Sequence, residues 1–359
     1  MTNRRLCYLP DVTRFDEQAI ARDYGAAALQ TCDVNKALAL RALAPSMQIW
    51  YITVPQGVRD EQPWLLEPVA QATDPMARMV RAVKENAAHG VDWLIRDAHG
   101  APVRMCPNIS LGNATMACPR GKWDWTWGMT FLQAALAAYR AVIADGRWSA
   151  AYRDHVAFEM GGCLASSVAL PGKTGPCSAP DHGGPLSSRL IQAWGQFYTT
   201  FRREFPSLRV MFNAPGKDPM LGLWTPDAYK VERVGNQQGQ ARTAYQYAAI
   251  IAALPKASVL HIAPDPGWDA ERKARHVRLW SAIGVMFDLW IDVGDYDGGG
   301  YHLTREEAPE HWRWSEWTPT GPMIQSLGLC IRQFREGKLV ANVGTYEMSG
   351  VPMEDAVEF

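Results

Sequence analysis

Short apolar runs alternate with helix-period segments from one end of this 359-residue chain to the other, and few architectures accept that pattern. A run of four to seven apolar or β-branched residues suits a strand covered on both faces, and a helix between successive runs lets the strands lie parallel. Eight runs are read as strands: Leu6 to Leu9, Ala26 to Gln30, Gln48 to Val54, His155 to Glu159, Leu208 to Asn213, Lys230 to Val234, Ser258 to Ala263 and Met286 to Asp292. Helical spacing over 16–24, 35–43, 76–88, 129–144, 187–205, 243–254 and 270–283 fills intervals between them. The sequence therefore predicts an α/β fold, a single (β/α)8 TIM barrel over residues 1–318 with elaborated catalytic-face loops. Residues 319–359 are read as a short C-terminal appendage, a helix followed by a strand over Leu339 to Val343.

The pattern breaks once, between the third and fourth strands. Val91 to Arg104 reads as a hairpin turning at Ala98-His99-Gly100, and a loop then leads to the helix starting at Met129. In a barrel, insertions after a strand's carboxyl end build the binding site. This one carries Trp123, Trp125 and Trp127, from a chain with fifteen tryptophans, and indole faces stack on sugar rings as readily as they fill a core. Packing at a helix N-terminus is the alternative for that cluster.

Charge and cysteine usage narrow the partners. Thirty-six basic residues nearly cancel thirty-seven acidic ones, so no net field gathers nucleic acid or an anionic membrane, and a neutral or mixed-charge substrate fits better. No apolar run approaches the ~18 residues of a membrane span, and the one near the N-terminus is too short for a signal peptide. The expected location is the cytoplasm, or a phage particle or exterior reached by a route the sequence does not display. Seven cysteines include no CxxC and no zinc-ligand spacing with histidine, so no metal and no cofactor are expected. Cys106 with Cys118 and Cys163 with Cys177 are spaced to close short loops, with free buried thiols as the alternative.

The stretch Asp154-His155-Val156-Ala157-Phe158-Glu159-Met160-Gly161-Gly162 draws the chemistry together. On a strand, Val156 and Phe158 face one way while His155, Ala157 and Glu159 face the other. A carboxylate thus ends an apolar strand, with two glycines leaving room beside it. Glu232 lies within the sixth strand, where an inward Glu232 turns Lys230 inward too. Two steps round a closed barrel put the backbones ~9 Å apart and inward carboxyls ~5–9 Å apart, a range that spans retaining and inverting glycosidase pairs. Pairing with Arg14 or Arg233 is the structural alternative for either glutamate. Asp11, Tyr51, Arg96, Trp125, Asn213 and Asp292 are the further candidates for holding sugar, whereas His261 reads as a hydrogen-bonded core histidine.

Four segments resemble the glycoside hydrolases of the hypothetical glycosyl hydrolase-like family fifteen, which are similar in turn to endo-α-1,4-polygalactosaminidases. They are Gln48-Ile-Trp-Tyr-Ile-Thr-Val, Asp92-Trp-Leu-Ile-Arg-Asp-Ala-His-Gly-Ala-Pro-Val, Asp154 to Glu159, and Ile331-Arg-Gln-Phe-Arg-Glu-Gly-Lys-Leu-Val-Ala-Asn. The resemblance spans nearly the whole chain and implies hydrolysis of O-glycosidic bonds in a polysaccharide by a two-carboxylate retaining mechanism. It implies Glu159 as nucleophile, at the position of the family's fourth-strand Asp, and Glu232 as acid/base. His155 stands where the family has Gly, and Glu159 is one methylene longer than Asp. The competing expectation is a non-catalytic carbohydrate-binding or structural barrel, of phage or cell surface.

Overall fold

The computed structural model describes residues 3–7, 16–29, 33–96, 99–106, 108–152, 155–158, 186–213, 226–231, 234, 244–255, 258–265, 267–294, 308–344, 352 and 355–359. Eight of its strands form one parallel sheet: β1 (Leu6–Cys7), β2 (Ala26–Leu29), β3 (Gln48–Thr53), β7 (His155–Phe158), β8 (Arg209–Asn213), β9 (Ala228–Val231), β10 (Val259–Ile262) and β11 (Trp290–Val293), hydrogen-bonded in that order. The first strand also meets the last. Arg5 pairs with Ile291 in a parallel bridge, and the Ile291 N–H donates to the Arg4 carbonyl at 2.9 Å.

Alternation along the strands creates two apolar layers. Ala27, Ile49, Val156, Phe158, Val210 and Phe212 join a large cluster with Phe131, Ala135, Tyr139, Phe197 and Phe201 of the covering helices. The residues between them face the other way. Leu6, Ala26, Ala28, Trp50, Ile52, Met211, Ala228, Val259 and Trp290 form a second cluster made wholly of strand residues drawn from β1, β2, β3, β8, β9, β10 and β11.

The interruption after β3 is a three-stranded antiparallel sheet of β4 (Gly57–Arg59), β5 (Arg104–Cys106) and β6 (Ile109–Leu111), ordered β4-β6-β5. The expected hairpin is present in outline, as the bridges Leu94↔Gly112 and Arg96↔Pro102. Between β4 and β5 runs helix α1 (Pro75–Ala88), with Pro75 in its first turn and Asp74 as N-cap accepting from the Met76 N–H at 2.8 Å. Helix α2 (Phe131–Ile143) returns the chain towards β7. It starts on a capping box in which Thr130 and Gln133 satisfy each other's backbone N–H groups.

The last part of the chain corrects one expectation. Residues 321–338 hold no helix; β12 (Ile324–Ser326), β13 (Leu329–Gln333), β14 (Lys338–Asn342) and β15 (Asp355–Glu358) form a four-stranded antiparallel sheet in sequence order. Apolar residues at 324, 327, 331 and 334 imitate helical spacing, but Leu327 (φ 48°) and Gly328 (φ 84°) make the two-residue turn of a tight hairpin. Cys330, Leu339, Ala341 and Ala356 pack against Trp280 and Ile283 of helix α3 (Ala270–Met286). Arg278 of that helix clasps Asp355 with bonds of 2.7 and 2.5 Å. The sixth and eighth strands also slip: β9 begins two residues earlier than the pattern suggested, and α3 runs on to Met286, so β11 starts only at Trp290.

Candidate functional site

The carboxyl ends of the strands change character on the face that carries the strand-only cluster. Two residues beyond Ala228, Val259 and Trp290 come Lys230, His261 and Asp292, and all three are buried. His261 and Asp292 are register partners on β10 and β11, Lys230 pairs with Val259, and Asn213 of β8 pairs with Lys230. A Lys, a His and an Asp therefore lie on one face of the sheet, where the same strands, one step earlier, present only apolar side chains. Charged groups are rarely buried without compensation, so a concentration of them in one place marks a region selected for something other than packing. The His261 imidazole bonds the Gly294 carbonyl through Nε2 at 3.0 Å, which places the proton on that nitrogen. It is a hydrogen-bonded buried histidine, as expected.

The other expected residues scatter. Glu159, Glu232 and Asp11 lie outside the described residues. Asn213 closes β8, and only its backbone pairing is described. Tyr51 does not join the Lys230 face: it lies on the helix-covered side, 1% exposed, with its ring against Trp148 and Tyr152 and its hydroxyl donating to Asp74 Oδ1 at 3.2 Å. The period-two alternation that sends Trp50 and Ile52 one way sends Tyr51 the other, so its role is to support the N-cap of α1. Arg96 is held locally by Asp92, at 2.7 and 3.3 Å, and by the Gly100 carbonyl at 3.3 Å. It ties the hairpin together.

Trp125 is half-buried in the insertion, edge-on to Trp123 with ring centres 6.3 Å apart. The Arg78 guanidinium of α1 lies 5.2 Å from its ring and Arg81 lies 5.6 Å from that of Trp123, so both indoles brace the insertion against α1. Burial holds the Arg78 guanidinium below its ordinary pKa. Trp127 is instead 72% exposed. Cys118 is a free thiol rather than a bridge to Cys106: its sulfur accepts the Phe131 N–H at 3.2 Å, and burial pushes its pKa up to about 11.

Sequence reasoning undervalued Lys230. An inward Glu232 requires an inward Lys230, and the pairing i, i+2 is visible in the chain; the full burial of Lys230, on the same sheet face as His261 and Asp292, is what the tertiary structure adds. Among the described residues, no group of three or more His, Cys, Asp or Glu is arranged to hold a metal ion, and no helix is long and apolar enough to cross a membrane.

The sequence matches no protein-family model and no curated protein. Its structure is similar to that of the cyclic α-maltosyl-(1→6)-maltose hydrolase from Arthrobacter globiformis in its ligand-free form, at 12% identity and a TM-score of 0.52, over 100% of this chain and 98% of that one. Similarity extends to the glycoside hydrolase domain of PelA from Pseudomonas aeruginosa, at 12% identity and a TM-score of 0.46, over 83% and 96% of the two chains. It extends also to an α-amylase from Lactobacillus plantarum, at 11% identity and a TM-score of 0.45, over 95% and 88%. At such identities the likeness is one of fold, and the fold is glycoside hydrolase-like.

Proposed function

We propose that this chain is a glycoside hydrolase that cleaves O-glycosidic bonds of a polysaccharide, on a (β/α)8 barrel formed by residues 1–318, with 319–359 packed beside it. The observation that carries the reading is the register of the parallel sheet. Carried strand by strand from Arg5 through the seven pairings, the register arrives level with Ile283, whereas Arg5 actually bridges Ile291, eight residues further on. Eight strands with a stagger of about eight is the closure of a TIM barrel, in which inward residues of alternate strands share a layer. The strand-only cluster is then the barrel's packed interior.

That stagger orders the interior. Ala26, Ala228 and Trp290 share one layer, Leu6, Trp50, Met211 and Val259 the next, and Ala28, Lys230 and Asp292 the third. In this reading Glu159 and Glu232, each two residues beyond an inward position of its strand, would share one further layer at the carboxyl rim, on alternate strands. Their backbones would lie ~9 Å apart across one intervening strand, the separation that suits two carboxyls facing one glycosidic bond. In the mechanism this supports, Glu232 gives its proton to the leaving oxygen as the C–O bond breaks, and the Glu159 carboxylate bonds the anomeric carbon. Water then displaces Glu159 from that carbon and returns a proton to Glu232, giving net retention. Asn213, Asp292 and Asp11 remain the proposed sugar-side residues of this reading, most directly Asp292 and Asn213 at the strand ends; Tyr51, Trp125 and Arg96, engaged by Asp74, Arg78 and Asp92, take supporting roles instead.

Product stereochemistry tests the assignment. Glu159→Ala with added azide should yield a glycosyl azide of inverted configuration, and Glu232→Ala should lose about 10²–10⁴-fold in rate on poor leaving groups while still cleaving activated aryl glycosides. Undiminished turnover in both variants would leave the hydrolase without its catalysts. Wild-type protein that binds glycans and never cleaves them would instead be a carbohydrate-binding barrel.

A further inference from the structure

Residues 121–129 form a loop that is rigid for its size. Its ends are tied by two reciprocal backbone bonds, Gly121 N–H to Met129 O at 2.8 Å and Gly128 N–H to Gly121 O at 2.9 Å. Its middle is anchored by Asn86, a fully buried side chain of α1 whose Nδ2 donates to Thr126 Oγ1 at 2.8 Å while its Oδ1 accepts the Lys122 N–H at 2.7 Å. Gly121 admits no side chain, because a Cβ there would stand 2.4 Å from the Thr126 carbonyl oxygen. Asp124 and Gly128 hold positive φ values of 33° and 75° on either side of the tip. Arg120 fastens the outer edge, donating to the Gly128 carbonyl at 3.1 Å and to Gln133 at 2.9 Å.

This framework is used to present one indole to water. Trp123 and Trp125 are covered by the α1 arginines, whereas Trp127 stands 72% exposed among the exposed residues Arg120, Lys122, Asp124 and Gly128. The loop does not need the ring: in this network Trp127 enters only through its backbone N–H, on Asp124 O at 3.0 Å. A large exposed aromatic on a preorganised loop is stably placed for contact at small entropic cost. One indole in a charged surround is far too little apolar area for a protein interface of ~800 Å² per partner. It matches a pyranose ring, whose C–H face stacks on the indole while its hydroxyls reach the flanking carboxylate and cations.

We propose that Trp127 is a saccharide-binding platform on the β3 insertion, separate from the Lys230–Asp292 region, that holds a stretch of glycan chain. Only the class of ligand rests on the hydrolase reading. The insertion that carries the platform leaves the carboxyl end of β3, where the Gln56 carbonyl accepts the Gly112 N–H at 3.0 Å.

Affinity electrophoresis of the full chain in gels containing soluble starch, lichenan or partially N-acetylated chitosan tests the platform. Wild-type protein is expected to be retarded by at least one of the three. Trp127→Ala should weaken that retardation about tenfold, Trp127→Phe less, and Met116→Ala, which removes another fully exposed apolar side chain of the insertion, not at all. Equal retardation of wild type and Trp127→Ala, or no retardation of the wild type by any glycan, overturns the proposal. So does sedimentation showing that Trp127→Ala converts a wild-type dimer to monomer, since the ring would then serve a second copy of this chain. Reducing-end release by the wild type on the same glycans is scored separately: retention without release leaves the platform standing and removes the hydrolase.

Discussion

Two fully buried cations of the same sheet, Arg5 and Lys230, sit in opposite kinds of surroundings. Arg5 lies at the junction of β1 and β11, on the outer side. Its guanidinium donates to the Asp23 carbonyl at 2.6 Å, the Trp312 carbonyl at 2.7 Å, Ser315 Oγ at 2.9 Å and Glu316 at 2.8 Å, and lies 4.4 Å from the Trp312 ring centre. These bonds join the first strand to the segment after β11, and most of the acceptors are neutral. Lys230 belongs to the interior face, just past the apolar layers, in the company of Asp292 and His261. Burial of a charge therefore does not by itself mark a functional site: a guanidinium knitted into backbone carbonyls is architecture, while ionisable groups at the carboxyl ends of parallel strands are the ones the proposed function draws on.

The largest difference should appear on removing Arg5. Arg5→Met removes four hydrogen bonds from a buried junction at once and should cost about 3 kcal/mol or more, read from denaturant unfolding. Its coupling to Glu316 should be small, at most about 1 kcal/mol in a double-mutant cycle, because that carboxylate is 44% exposed and water replaces the lost partner. A loss below 1 kcal/mol for Arg5→Met would erase the distinction.

Lys230 and Asp292 should behave as the reverse case. On the proposed barrel, which puts both buried groups in one layer, Lys230→Met and Asp292→Asn should couple by about 1–3 kcal/mol, the double variant being more stable than the sum of the single ones implies. Strict additivity would mean that the two charges are compensated separately and that the polar layer is not one unit.

The smallest effect is a pH dependence with its main source at the Arg5 junction. His311 is buried there, bonded through Nδ1 to Ser281 Oγ at 3.0 Å, and burial together with the Arg5 charge lowers its pKa from 6.5 to about 3. The unfolded chain takes up a proton as pH falls through ~6.5, whereas the folded chain stays neutral until about 3. Stability is thus complete above pH 6.5 and declines between 6.5 and 3. His276, lowered to about 4 chiefly by burial, adds in the same direction. His311→Gln should flatten the fall in Tm over that window by a few degrees, and an unchanged profile would remove His311 as its source.

Much of the architecture was legible before any coordinates. Apolar run length and helical spacing decided the parallel sheet, because a strand covered on both faces cannot tolerate polar residues in its middle. Alternation correctly paired Val156 with Phe158 on the helix-covered side, and that single fact orients β7. The C-terminal sheet was hidden, since Leu327 and Gly328 form their turn in a conformation that composition does not announce for leucine. Tyr51 illustrates a further limit: its residue type suggested sugar binding, and only the strand's parity against Trp148 and Asp74 revealed a supporting role.

The sequence by itself determined which residues share a strand and which alternate, since both follow from a two-residue period along a local stretch of chain. It could not determine which layers those residues enter, because that depends on the stagger between strands distant in sequence. Only the tertiary register set His261 beside Asp292 and Lys230 between Asn213 and Val259, on the face of the sheet that carries Trp50 and Met211. The loop of Trp127 divides in the same way: three tryptophans in five residues are written in the chain, but the buried Asn86 and the α1 arginines decided which two brace the insertion and which one faces water.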